Sequence, residues 1–312
     1  MPEGSNAAAA AGLSLATRNL YGIIAMTVSA GSFTINDAFV KTLGASLPSG
    51  EIMALRGVLS TLMLAALAAW AGCLRLPLDL VRRPAFGWRL VGEVAATTTF
   101  VVSLMHIRFA DANGIQQFQP LALTAVSAVV LGSQVGWRRW LAALAGLLGV
   151  LLIIKPGTSG FSPYALVSAS CVGFVVLRDL ATRAIPAHTP SLLLALTSSA
   201  AVMLMGAAMG VTETWVTLTP EHWLALLGAA VFLVGGYYMV TYSVRTGEIT
   251  VVAPFRYTSV VFAVLLQLGV WGTLPDTWSL VGITIVALAG LYTFHRERIR
   301  MAEARRTALA EA

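Results

Sequence analysis

Apolar residues fill this chain in long blocks, separated at nearly regular intervals by short polar turns. A helix needs about 20 mostly apolar residues to cross a hydrocarbon core about 30 Å thick, because each residue rises about 1.5 Å. Ten blocks meet or approach that length. They run from Leu20 to Leu43, Ile52 to Cys73, Trp88 to Ile107, Ala112 to Leu131 and Trp140 to Lys155. The second set runs from Pro163 to Ala184, Ser191 to Val211, Trp223 to Val244, Ile249 to Trp271 and Trp278 to Phe294. The pattern predicts an all-α integral membrane protein. Residues 1–19 read as a mobile lead into an uncleaved first span, since the stretch before Arg18 is Ala-rich and lacks a basic start.

The polar breaks carry the orientation, because Lys and Arg near span ends are retained on the cytoplasmic side. With the N-terminus inside, Lys41, Arg108 and Lys155 lie outside and Arg56 and Arg256 lie within spans. The other fifteen of the 20 basic residues then fall inside. Both termini are therefore expected in the cytoplasm, the membrane being the bacterial inner membrane. Tyr21, Trp70, Trp88, Trp137, Trp140, Trp223, Trp271 and Trp278 mark span ends, as an interfacial aromatic belt does.

Composition adds the exclusions. Charged residues make up 11% of the chain, against about 25% in soluble domains, and mean hydropathy is +0.80. The pI of 9.7 reports membrane orientation and calls for no nucleic-acid partner. Membrane lipids and a small solute are the partners implied, with no obligate protein partner. The basic residues from His295 to Arg306 read as a short surface helix in a cytoplasmic tail, residues 296–312. Cys73 and Cys171 are not placed for a disulfide or a metal site, and the four histidines scatter over loops and span ends. H-E-x-x-H, G-x-x-x-x-G-K-[ST], G-x-S-x-G and G-x-G-x-x-G are all missing. No catalytic residue, metal or cofactor is expected, and the chain does not read as an enzyme. A membrane enzyme acting on lipid-linked substrates stays open as the remote alternative.

The two halves of the chain echo each other. Five spans precede the loop at Gly157 to Ser162 and five follow it, and an odd number per half inserts the halves in opposite orientations, a recurrent transporter architecture. Ile115-Gln-Gln-Phe-Gln-Pro120 in one half answers Ile249-Thr-Val-Val-Ala-Pro254 in the other. Leu131-Gly132 answers Leu268-Gly269, and Trp140 to Gly149 answers Trp278 to Gly290. With the Leu55-Arg56-Gly57 phrase and the basic exit Arg296-Glu-Arg298, these features in this order resemble the ten-span EamA-type exporters of the drug/metabolite transporter superfamily. The resemblance runs from Tyr21 to about Arg298, and within the family the chain looks most like YddG-type exporters of aromatic amino acids. It departs where Gly132-Ser133 and Gly269-Val270 replace a frequent Gly-Glu. The resemblance implies two repeats, residues 20–157 and 161–295, around a central cavity. It also implies a secondary transporter exporting small amphipathic solutes by alternating access.

Residues within the spans suggest where that cavity lies. Pro120 and Pro254 should bend or unwind their helices, either against the cavity or as packing kinks. Phe33, Thr34, Asn36, Thr98, Phe100, Gln116, Gln119, Phe174, Tyr237, Tyr238, Tyr257 and Thr258 are candidate solute contacts, a mixture suited to an amphipathic organic molecule such as an aromatic or other neutral amino acid. Ser and Thr also bond their own helix backbone, so each alone is weak evidence. Charged residues cost several kcal/mol within spans unless partnered. Asp37 and Arg56 fall in the outer third, with Lys41, Glu51, Arg108 and Asp111. Glu93, Arg178, Asp179, Glu248 and Arg256 fall in the inner third, with Arg245. They read as two alternating gates, or as static pairs and anchors. With no carboxylate at the bilayer centre, facilitated export is favoured over proton-coupled antiport, which remains the alternative.

Overall fold

The computed structural model describes residues 15–130, 137–186 and 188–311. Every regular element among them is helical: α1 Leu15–Leu43, α2 Ser49–Trp70, α3 Leu78–Val81, α4 Pro84–His106, α5 Phe109–Gln116, α6 Gln119–Val130, α7 Trp137–Ile154, α8 Pro163–Arg183, α9 Ser191–Met209, α10 Pro220–Thr246, α11 Ile249–Val252, α12 Thr258–Trp271 and α13 Thr277–Glu311. A 3-10 segment, Ala253–Tyr257, joins α11 to α12. The start signals are local. Pro84, Pro163 and Pro220 each open a helix, where the missing N–H would have had no partner. At the other end of α12, Gly272 takes φ +64°, a left-handed cap that favours glycine.

Among the described residues, eight helical segments are long and apolar enough to cross a membrane. Two of the ten expected blocks fall outside that set. The α4 helix has the length, 23 residues, but carries Arg89, Glu93 and the Thr97 to Thr99 run. The block expected from Ala112 to Leu131 is two short helices, α5 and α6, interrupted at Gln117–Phe118, and Pro120 is the second residue of α6. The corresponding block in the second half is interrupted as well, with Pro254 inside the 3-10 segment. Proline removes a donor and clashes with the preceding turn, so neither block continues as one α-helix. The C-terminal basic residues are not a separate surface helix. They prolong α13, which runs unbroken past Phe294 to Glu311. Residues 1–14 of the expected N-terminal lead and the Gly132-Ser133 departure lie outside the described residues.

Four helix pairs dominate the packing: α1 with α10, α4 with α8, α2 with α9 and α7 with α13. The last pair closes where Gly149 and Gly282 face each other. A Cβ on Gly149 would stand 2.7 Å from the Gly282 carbonyl oxygen. Small residues at such seams let backbones approach closely, the usual basis of helix association in lipid. The outer surface is apolar, with Leu62, Val129, Leu148, Leu204, Leu265 and Leu288 all exposed. A face of that character belongs in hydrocarbon.

Five alternate connections meet at one end of the bundle. Arg108, between α4 and α5, and Lys155, after α7, both pair with Asp276, before α13. Arg108 also pairs with Asp111 at 2.9 Å. Lys41 Nζ donates to the carbonyls of Leu104 and Ile107, Ser46 Oγ lies 3.1 Å from His222 Nε2, and Val216 N donates to Glu51 Oε2 at 3.0 Å. Burial alone would raise the Asp276 carboxyl. Hydrogen bonds from Lys155, the Ser279 amide and Arg108 outweigh it and hold the group below the usual carboxylate range.

Candidate functional site

Polar side chains within the bundle gather in two places. The first lies between α2, α4, α9 and α10. Arg56 and Ser60 enter from α2, Glu93 and Thr97 from α4, Ser198 and Ser199 from α9, and Tyr237 from α10, lining a cavity of about 60 Å³. Arg56 Nη1 donates to Asn36 Oδ1 at 3.1 Å, and Asn36 Nδ2 donates to Asp37 Oδ1 at 2.9 Å. An amide thus stands between guanidinium and carboxylate. Phe33 meets Tyr237 edge to face, with ring centroids 5.3 Å apart. Arg178 Nη1 reaches Glu93 Oε2 at 3.4 Å and Arg178 Nη2 reaches Asp179 Oδ1 at 2.8 Å. Arg89 Nη1 donates to Ser198 Oγ.

Arg56 and Glu93 therefore share one cavity, whereas the sequence reading separates them into outer and inner thirds. Counted along their helices, Arg56 sits roughly 10 Å from Ser49 and Glu93 roughly 14 Å from Pro84. Their side chains bridge the remaining difference. Backbone register alone does not carry that reach.

The second gathering fills the two helix interruptions. Gln116 Nε2 donates to the Ser168 carbonyl and lies 3.2 Å from Ser168 Oγ. Gln119 Nε2 donates to Gln116 Oε1 at 2.8 Å, and Arg256 Nη2 donates to Gln119 Oε1 at 3.2 Å. Gln117 Nε2 donates to Ser259 Oγ at 2.9 Å, and the buried Tyr257 hydroxyl lies 3.4 Å from the Gln117 carbonyl. Backbone groups freed by a broken span are tolerated in a membrane only where protein or water satisfies them. These amides lie where that need arises.

The remaining candidates are dispersed. The Thr34 hydroxyl bonds its own helix at the Ala30 carbonyl, and the Thr258 hydroxyl bonds the Phe255 carbonyl of the preceding 3-10 segment. Thr98 Oγ1 is buried with no hydrogen-bond partner. Phe100 and Phe174 pack against Ala96, Cys171 and Val175. Tyr238 is 56% exposed, and the Glu248 amide donates to Asn19 Oδ1 at 2.8 Å. Among the described residues no three His, Cys, Asp or Glu side chains converge as a metal site requires.

Arg89, Ser60, Ser198 and Ser199 escaped the sequence reading of the site. Signals existed for three of them. Ser60 follows Arg56 by four positions and so shares its helix face. Ser198 and Ser199 form a polar pair inside an otherwise apolar block. Arg89 gives no such signal, because a cation beside Trp88 at a span end reads as an anchor on the cytoplasmic side.

The chain matches the EamA-like transporter family twice in succession, over residues 20–155 and 162–294. It belongs to that family. The protein is a membrane transporter of the drug/metabolite transporter superfamily. Its similar relatives include the pseudopaline exporter CntI of Pseudomonas aeruginosa, 27% identical over 86% of this chain and 94% of its own length. The S-adenosylmethionine uptake transporter of Rickettsia prowazekii is 25% identical over 90% of this chain and 95% of its own. A solved crystal structure superposes with a TM-score of 0.62 at 18% identity, covering 89% of this chain and 96% of that one, a likeness of fold.

Proposed function

We propose that this EamA-like transporter exports small amphipathic organic solutes, foremost aromatic or other neutral amino acids, across the bacterial inner membrane. Alternating access of two oppositely inserted five-helix repeats moves the solute, with both termini cytoplasmic and the Asp276 end outside. The supporting observation is the cavity itself, to which Arg56 and Glu93 come from the first half and Ser198 and Tyr237 from the second. Inverted-repeat transporters bind their solutes at the interface between the repeats. The helix pairings agree, since exchanging the halves converts α1 with α10 into α8 with α4 and leaves α2 with α9 and α7 with α13 as they are.

Counterflow into liposomes holding the purified protein tests this reading, using labelled aromatic and aliphatic amino acids side by side. Saturable accumulation of at least one neutral amino acid is expected; none for any of them removes the amino-acid assignment. Facilitated export is the first reading of energetics. Glu93 gives the second, proton-coupled antiport, a specific footing, because it places a carboxylate on the cavity wall. Flux that collapses when an imposed pH gradient is dissipated decides for the second.

A further inference from the structure

Two buried guanidinium groups flank the shared cavity with donors unused. Arg56 is 7% exposed and lines the cavity. Its Nη1 bonds the neutral amide of Asn36, and its Nε has no partner. Arg89 is 8% exposed; its Nη1 bonds Ser198 Oγ, and its Nε also has no partner. Among the described residues, neither has a carboxylate oxygen within the 4.0 Å of an ion pair. A buried cation left in that state is costly, because a guanidinium presents five donors and loses water for all of them. The acids nearby are otherwise engaged. Asp37 is reached only through Asn36, and Glu93 and Asp179 both turn to Arg178.

We infer that Arg56 grips a carboxylate of the transported solute while Glu93, which lines the same cavity and is held by Arg178 only at 3.4 Å, turns to its cationic nitrogen, so the preferred solutes are zwitterions of the α-amino-acid kind. A carboxylate matches the planar fork of a guanidinium, and the pair forms two parallel charge-assisted bonds. Phosphate shares the fork but brings a second negative charge toward Glu93, which disfavours it. An ammonium beside the carboxylate turns that repulsion into attraction. Val202, Leu233 and the Tyr237 ring leave an apolar stretch of the cavity wall for the rest of the solute. On this assignment Arg56 is a solute ligand, where the sequence alone suggested a gate. The inference rests on the proposed carrier role and deepens it.

The test uses matched probes in the counterflow assay: L-phenylalanine, L-leucine and L-histidine, each against its carboxamide, with inorganic phosphate as competitor. The wild-type protein should favour each acid over its amide by about 10- to 100-fold in half-saturating concentration, the scale of a lost hydrogen bond to a charged group. This ratio needs no variant. In Arg56→Gln the acid and amide values should converge, and Arg56→Lys should restore part of the gap. Equal wild-type transport of acid and amide overturns the inference while leaving the carrier role standing. So does an Arg56→Gln variant that slows acid and amide alike, the mark of a gate. Inhibition by phosphate as strong as by the amino acid overturns it too. Absence of flux for every probe overturns the inference and the amino-acid assignment together.

Discussion

Gly206 offers the sharpest test of the packing that holds the cavity walls together. In α9 it lies so close to α2 that an added Cβ would stand 2.8 Å from the Gly50 carbonyl oxygen and 2.8 Å from the Met53 carbonyl carbon, and closer still to Ala54 N. Backbone atoms of a packed helix do not step aside as a side-chain tip would. To bring the nearest of these atoms, Ala54 N, to an ordinary contact of 3.4 Å the helices must part by roughly 1 Å. A gap of 0.5–1 Å forfeits about a quarter to a half of each dispersion contact along the seam, and overpacking of this kind costs about 1–3 kcal/mol. Replacing a mid-helix glycine by alanine returns about 0.5–1 kcal/mol of backbone entropy. Gly206→Ala should therefore be net destabilising by about 1–2 kcal/mol. Gly235→Ala supplies the control, because a Cβ there meets nothing within 4 Å and keeps the entropy gain alone. Thermal unfolding of the detergent-purified variants should move in opposite directions, and the Gly206→Ala shift should not depend on protein concentration, since the contact lies within one chain. A Gly206→Ala variant that melts at or above the wild type would refute the reasoning.

Other consequences are checkable by similar means. Asp276→Asn should lower the melting temperature by the same amount at pH 5 and pH 8. A carboxyl held below its usual range contributes fully above the unfolded value of about 3.9 and loses its contribution only as pH falls through the lower folded value; a shift that shrinks at pH 5 contradicts this. Gln267→Leu should cost about 1–3 kcal/mol in chemical unfolding, because the buried Ala110 amide, now 2.7 Å from Gln267 Oε1, loses its acceptor. Thr219→Ala should cost near the low end of the about 0.5–2 kcal/mol of a lost N-cap, since both bonds of the Thr219 and His222 capping box are long at 3.3 Å.

Hydrophobic blocks and prolines made most of the architecture readable, because lipid imposes one dominant rule on a spanning helix and the chain follows it. Where the rule is relaxed, reading failed in a patterned way. The α4 helix surrenders apolarity to Arg89, Glu93 and three threonines because one of its faces meets a polar cavity and α8. The block from Ala112 to Leu131 is apolar enough in composition, yet glutamines at 116, 117 and 119 and Pro120 divide it. At the site, residue type was legible and grouping was not. Arg56, Glu93 and Tyr237 stand out as polar groups in spans, but only helix packing brings them to one cavity. Asp276 gave no signal, because a loop carboxylate looks the same whether solvated or placed between Arg108 and Lys155.

The two interrupted spans show how such a bundle can be firm at rest and still move. Each interrupted span begins with backbone donors that its own helix cannot satisfy. The structure meets the need reciprocally: Gln267 of the second half accepts from Ala110 at the start of α5, and Asn19 of the first half accepts from Glu248 N just before α11. Neither tie is an ion pair. A neutral hydrogen bond contributes only about 0.5–1.5 kcal/mol net when water can replace it, whereas parting a buried ion pair costs about 3–5 kcal/mol. In the proposed cycle, one end of the bundle must wet as it opens. Ties of this kind can be exchanged for water at that moment and remade on closure, so in that cycle the broken spans would serve as releasable joints between the halves. In that cycle the Arg108, Lys155 and Asp276 group would part together with the Gln267 joint, because α12, which supplies Gln267, leads directly into the loop holding Asp276.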